Sequence, residues 1–435
     1  MELVKTQTPD SIQHISSYYA ATANLELSCP PLEGEVEAEV CVIGGGFSGV
    51  ATALELAERG ISVVLLEANR IGWGASGRNG GQVLEGWSGE AALVSQIGGD
   101  AARFFEQTRY RGHDIIERRI ARYGIECDYV RGALTAALNP TQMRALSKSV
   151  EAFDTNRHGH ILTLLDEAEI RQHIGSTLFC GGMLDERGAH CHPLNLCLGE
   201  AKAAIELGAR MFEASPALSI EPGALTRVAT PTGKVIASKV VIAGNAYHKL
   251  YPEKFGGYML PAQTYVIATE PLSEDLADTV LPTNKAVCDA RWVLDYFRMS
   301  ADRRLLFGGE CTYNNRTIAD ASTVLGPRMT KVFPQLENVR IDYQWGGTIG
   351  IPINRIPMIG RAFENVFYAQ GYSGHGVNCT HIAAEILADA AMGNSEHLEM
   401  FERAKHIFVP ASKWAGGPLL ALGMSLFRFR DFARI

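Results

Sequence analysis

Gly44, Gly46 and Gly49 stand in the run Gly44-Gly45-Gly46-Phe47-Ser48-Gly49, directly after the apolar stretch Val40-Cys41-Val42-Ile43. Glycines at this spacing, between a strand and a helix, bring bare backbone amides up to phosphate oxygens. The chemistry they suggest is binding of a dinucleotide. Gly44 permits the tight turn, Gly46 lets the backbone approach a pyrophosphate, and Gly49 lets the helix lie close on the strand. Phe47 and Ser48 open that helix, whose first amides favour negative charge. Val50, Ala53, Leu54 and Ala57 recur at helical spacing, and Gly60 is a fitting stop. A second apolar run, Ile61-Ser62-Val63-Val64-Leu65-Leu66, ends on Glu67 and Ala68. A carboxylate at the tip of that strand can accept from both hydroxyls of a ribose and would repel a 2′-phosphate.

Two further stretches have similar chemistry. Gly72-Trp73-Gly74-Ala75-Ser76-Gly77-Arg78-Asn79-Gly80-Gly81-Gln82 is too rich in glycine for an ordinary surface loop. Its composition suits a backbone wrapped around something flat and charged, with Ser76, Arg78 and Asn79 as donors. Gly371-Tyr372-Ser373-Gly374-His375-Gly376-Val377 follows an apolar strand and runs into a helix with Ala383, Ile386, Leu387 and Ala390 as its stripe. That turn makes a second positive helix end. His375 reads either as a capping or core histidine or as part of the catalytic apparatus.

The fingerprint, the acidic strand end and the segment GWGASGRNGGQ together resemble the D-amino-acid oxidase/glycine oxidase family of FAD-dependent oxidoreductases, and most of all its gamma-glutamylputrescine oxidase branch. The resemblance runs over most of residues 37–392. It implies oxidation of a C–N bond: hydride passes to flavin N5, and the imine then hydrolyses. Gamma-glutamylputrescine or a related glutamylated polyamine is the substrate it implies. It also places the backbone at Ala217 against adenine, the Gly244 turn near the dinucleotide, and Gly347 beside the isoalloxazine. The final glycine loop, Gly371, Ser373, Gly374, His375, Gly376 and Val377, faces the flavin edge where negative charge appears on reduction. No cysteine occurs from 346 to 370, so FAD is expected to be held non-covalently. Oxygen or another electron acceptor completes the cycle. The other reading is a membrane-peripheral dehydrogenase that passes electrons to a quinone or carrier.

Stepping outward from these residues, 435 residues are too many for one simple core. The expected class is α/β, or α+β with two domains: a Rossmann-like FAD domain from discontinuous segments (37–90, 181–250 and 341–394) and an antiparallel-sheet substrate domain (91–180 and 251–340). Residues 1–36 form an N-terminal arm, where packing is the expected role of Tyr18-Tyr19, and 395–435 a helical extension. Residues 91–175 read as polar and helical, with Arg118-Arg119 and Arg122 on a solvated face. Aromatic, polar-interrupted strands in 251–340 suit a sheet with one face on a cavity. Tyr265, Tyr296 and Arg298 are the catalytic candidates there beside His375, with Arg291 and Tyr313 near substrate.

A net charge of −8 with 20% charged residues argues against nucleic acid, and a metal is not expected. Nine cysteines without a CxxC pair suit a reducing cytoplasm. No stretch of about 18 apolar residues exists. The run 418–427, followed by Arg428, Arg430 and Arg434, suits a final packed helix or, through 418–434, peripheral membrane contact.

Overall fold

The computed structural model describes residues 12–153, 155–291, 293–312 and 318–409. Two sheets organise the chain. The first has eight strands, six of them in the order Met358–Phe363, Val366–Gln370, Gly233–Ile242, Gly34–Ile43, Val63–Leu66, Arg210–Phe212. Its centre is parallel: Val40 pairs with Val63 on one side and Lys239 on the other, and Val240 pairs with Val366. Strands flanked and covered on both faces have no solvent side, so Val40–Ile43 and Val63–Leu66 are continuous apolar runs rather than alternating ones.

Four helices matter for the site: α1 (Phe47–Glu58), α2 (Arg111–Tyr123), α3 (Pro193–Glu206) and α4 (Gly376–Ala391). Their apolar faces meet in one core through Val50 and Leu54 of α1, Ile116 of α2, Leu196 and Ala203 of α3, and Ile382 and Leu387 of α4. Both α1 and α4 start from the ends of parallel strands, so their N-termini point to the same edge of the sheet.

The second sheet has nine strands, eight in the order Ile341–Pro352, Met259–Thr269, Leu305–Thr312, Tyr296–Met299, Ala286–Asp289, Val130–Ala137, Gly181–His190, Gln82–Val83. It is antiparallel except where Ala286–Asp289 runs parallel to Val130–Ala137. Its own core includes Phe297 stacked on Phe307 at 5.7 Å, with Phe333 edge-on.

Several expectations are corrected by this arrangement. The 91–175 region is not wholly helical, since Val130–Ala137 and Leu162–Leu165 are strands of the second sheet. Gly181–His190 and Ile341–Pro352, grouped by sequence with the dinucleotide segments, also pair into the second sheet. Apolar strands look alike along the chain, and distant partners decide which sheet takes them. Of the strand expected from 292, Trp292 lies outside the described residues and the strand begins only at Tyr296; ahead of it Asp289 accepts from Arg291 N (3.0 Å) and Asp295 N (3.1 Å), which draws these residues out of the ladder. Arg119 is not on a solvated face; its side chain is 0% exposed. Tyr18 and Tyr19 are both buried against the body, as packing requires. No helix among the described residues is long and apolar enough to cross a membrane. The 418–434 run lies outside the described residues.

Candidate active site

A cavity of ≈ 940 Å³ opens where the two sheets and the N-termini of α1 and α4 meet. Its wall follows from the sequence locally. Gly44 holds φ +112°, and a Cβ there would sit 2.7 Å from Ala243 O, so the turn must be glycine. A Cβ on Gly49 would lie 1.8 Å from Gly44 O, the close helix–strand contact expected of that position. Glu67 reaches back across the turn and accepts from Gly45 N (2.6 Å) and Asn69 N (2.8 Å). Burial pushes its carboxyl above the ordinary range, opposed by those amides. Phe47 N donates to Ser76 Oγ at 2.8 Å, so Ser76 buttresses the helix start and keeps its own hydroxyl proton for a ligand.

Gly44, Gly46, Phe47, Ser48, Glu67, Ala68, Ser76, Arg78, Asn79, Gly80, Gln82, Ala217, Gly244, Gly347, Ser373, Gly374, His375, Gly376, Val377 and Tyr296 all line this cavity. Five of the residues expected there do not. Gly49 and Gly81 lie behind the wall; a Cβ on Gly81 would strike Cys191 O at 2.2 Å. Gly371 packs on Pro352. Tyr265 sits in the second core, where its hydroxyl accepts from Ile318 N at 2.9 Å. Arg298 is buried with Nε on Gly80 O (2.8 Å), Nη1 on Met299 O (3.2 Å) and Nη2 on Tyr19 Oη (3.1 Å). It holds the glycine loop from outside. Arg291 is pinned to Asp289 and Asp295, and Tyr313 lies outside the described residues. Asn79 spends its amide within its own turn, on Ala75 O, Ser76 O and Gly81 N, and is not a free donor.

Arg78 has a different setting. Its guanidinium stacks on the Trp73 ring at 4.1 Å, and Nε donates to Trp73 O at 2.7 Å. Nη2 is buried and has no hydrogen-bond partner among the described residues. No carboxylate stands within ion-pair distance among the described residues, and burial lowers its pKa. A half-buried cation facing a cavity with a buried, unused N–H suits an anion or a carbonyl. His375 directs Nε2 to Glu85 O at 2.7 Å, which makes that nitrogen the donor. Burial lowers its pKa, so the ring is neutral with Nδ1 as the acceptor.

Sequence reasoning missed Tyr247, Thr264, Cys288, Val293, Leu294 and Arg355 in the wall. Tyr247 follows the Gly244 turn, a readable signal; its hydroxyl exchanges bonds with Thr348 N and O, both at 3.1 Å. Thr264 and Cys288 come from strands whose register no local pattern specifies.

The model of the family described as "DAO: FAD dependent oxidoreductase" matches residues 39–390. The chain belongs to this family. It is 42% identical over 96% of its length, and 99% of the relative's, to gamma-glutamylputrescine oxidoreductase of Escherichia coli (strain K12). Among solved structures it resembles glycine oxidase from Geobacillus kaustophilus, with TM-score 0.68 and 21% identity over 86% of this chain and 97% of that one. It also resembles L-proline dehydrogenase from P. horikoshii, with TM-score 0.69 and 20% identity over 85% and 96%. The protein is therefore an FAD-dependent oxidoreductase. The residues present fit that cofactor. The Gly44–Gly46 cradle admits a pyrophosphate, Glu67 retains acceptor lone pairs toward a ribose, and the orphaned Arg78 donor suits a charged or carbonyl group of the dinucleotide.

Proposed function

We propose that this oxidoreductase oxidises the C–N bond of an amine, with gamma-glutamylputrescine or a related glutamylated polyamine as substrate. The observation that carries this reading is the 42% identity spanning 96% of this chain and 99% of the gamma-glutamylputrescine oxidoreductase. When bound, without a covalent link, FAD supplies the acceptor for the hydride of the C–H bond beside nitrogen.

The chain's own part is orientation, exclusion of water and charge support. Apart from Phe47 N, which Ser76 holds, the first turns of α1 and α4 present amides to the cofactor's phosphates and ring edge. Arg78 supplies a half-buried positive charge, and Glu67 holds the ribose. At the sheet end the described wall is Thr264, Cys288, Val293, Leu294, Tyr296 and Gly309, an apolar slot for an aliphatic amine. Tyr296 packs over Gly80 and Gly308, where a side chain on either glycine would collide with its ring. It thus positions substrate against the glycine loop. We assign uptake of the proton leaving the amine to neutral His375, a wall residue whose Nε2 is held by Glu85 O and whose Nδ1 is the acceptor.

Anaerobic mixing of the yellow holoenzyme with a panel of amines tests the reading. Gamma-glutamylputrescine is expected to bleach the flavin fastest, ahead of free putrescine, glycine and D-amino acids. Bleaching by D-amino acids alone would overturn the substrate assignment. Peroxide formed one-for-one with product in air identifies oxygen as acceptor.

A further inference from the structure

His381 lies on α4, one turn beyond Val377, and neither it nor Glu200 of α3 lines the cavity. Both are fully buried. His381 Nδ1 is 2.6 Å from Val377 O, with Thr380 Oγ1 more distant at 3.5 Å. Its Nε2 is 3.1 and 3.2 Å from the two Glu200 carboxylate oxygens. A carbonyl and a carboxylate only accept, so both nitrogens face acceptors. One ring satisfies both only as an imidazolium. Burial pushes the Glu200 carboxyl up, but His381 and Arg119 outweigh it and keep the group ionised.

The same ring touches the cofactor-facing ends of two helices. It packs on Phe47, the first residue of α1, at 5.6 Å between centroids, and it holds the carbonyl of Val377, the second residue of α4. Phe47 and Val377 both line the cavity. We propose that His381 and Glu200 form a charged positioning bridge that sets the N-termini of α1 and α4 against FAD. The charged groups around it are Glu200 from α3, Arg119 from α2 behind that carboxylate, and Glu55 and Glu58 of α1 on the far side of Arg119.

The bridge is independent of which amine is oxidised, so its test uses FAD alone. Full-length apoprotein is titrated with FAD, and the holoenzyme's midpoint potential is measured, for wild type, H381F, H381Q and E200Q. Loss of one charged hydrogen bond is expected to weaken FAD about tenfold in H381F and to move the potential to more negative values. H381Q keeps a donor toward Glu200 without the charge and falls between. E200Q weakens FAD in the same direction and decides the matter if H381F does not fold. Should the variants melt earlier while FAD affinity stays within about twofold of wild type and the potential does not move, the bridge is core packing and the proposal fails.

Discussion

Two arginines, Arg119 fully buried and Arg78 half-buried, show how differently one side chain is used within a single chain. Arg119, on α2 behind the cofactor helix, meets Glu55 at 2.9 Å, Glu200 at 3.0 Å and Glu58 at 3.7 Å. Burial alone would lower its pKa, but these carboxylates outweigh it and raise it. Arg78, in the cavity wall, has Trp73 beneath it, a carbonyl on Nε and nothing on Nη2, and burial lowers its pKa. A charge neutralised from within ties elements together. A charge left uncompensated beside a cavity is stable in the long run only with something negative or strongly polar against it. The pair separates architecture from recognition without reference to any ligand.

Substitutions can break this contrast. Arg119→Met should be the most damaging to the fold, because it strands buried carboxylates; removal of one partner from a buried network costs about 3–5 kcal/mol. Chemical denaturation of the apoprotein measures it, and a loss under about 1 kcal/mol would show that the network relaxes freely. Arg78→Met should act the other way. Apoprotein stability is expected to hold or rise, while FAD binding weakens by roughly tenfold to a hundredfold, the range of a charged hydrogen bond. Arg78→Lys should recover only part of this, since an ammonium has neither the fork nor the flat stacking face. Unchanged FAD affinity in Arg78→Met would remove its recognition role.

Smaller effects sharpen the boundary of the site. Tyr296→Phe and Tyr265→Phe differ by one oxygen from wild type, yet Tyr296 lines the cavity and Tyr265 does not. Tyr265→Phe should cost about 1 kcal/mol of stability by leaving Ile318 N without its acceptor, with kcat/KM within about twofold of wild type. Steady-state kinetics on the two variants would expose a misassigned wall if Tyr265→Phe proved the slower.

Asp185 provides the mildest case of an uncompensated charge. It accepts from Arg187 N at 2.9 Å, while the Arg187 guanidinium turns to Asp114. Burial pushes its carboxyl up to about 6 from 3.8. A folded-state value above the unfolded one means its contribution is complete below about 3.8 and is lost as pH rises through about 6. Asp185→Asn should flatten that part of the apoprotein stability profile; an unchanged slope there would assign it to other groups.

Local sequence made the dinucleotide turn readable because each glycine answers a local demand: φ at Gly44 and contact distance at Gly49. The same holds for Glu67, one strand away, and for the Gly371–Val377 turn before α4. The wall opposite was harder. Tyr265 and Tyr296 are both aromatic residues on strands of the second sheet, and nothing near either in sequence says which faces the cavity. Register with the Leu305–Thr312 strand decides, and a bulge between Thr264 and Tyr265 shifts it. Arg298 looked catalytic by type, but the Gly80 carbonyl and Tyr19, far away in the chain, claim its N–H groups.

The amino-acid sequence by itself determined the cofactor-binding turns, the parallel strands that carry them and the family, since these rest on backbone conformations and apolar runs that span few residues. Tertiary structure alone decided which arginine is neutralised by carboxylates and which lines the cavity without one, and which tyrosine meets the cavity. The reason is that burial and charge compensation are properties of neighbours, and those neighbours come from strands and helices tens to hundreds of residues apart.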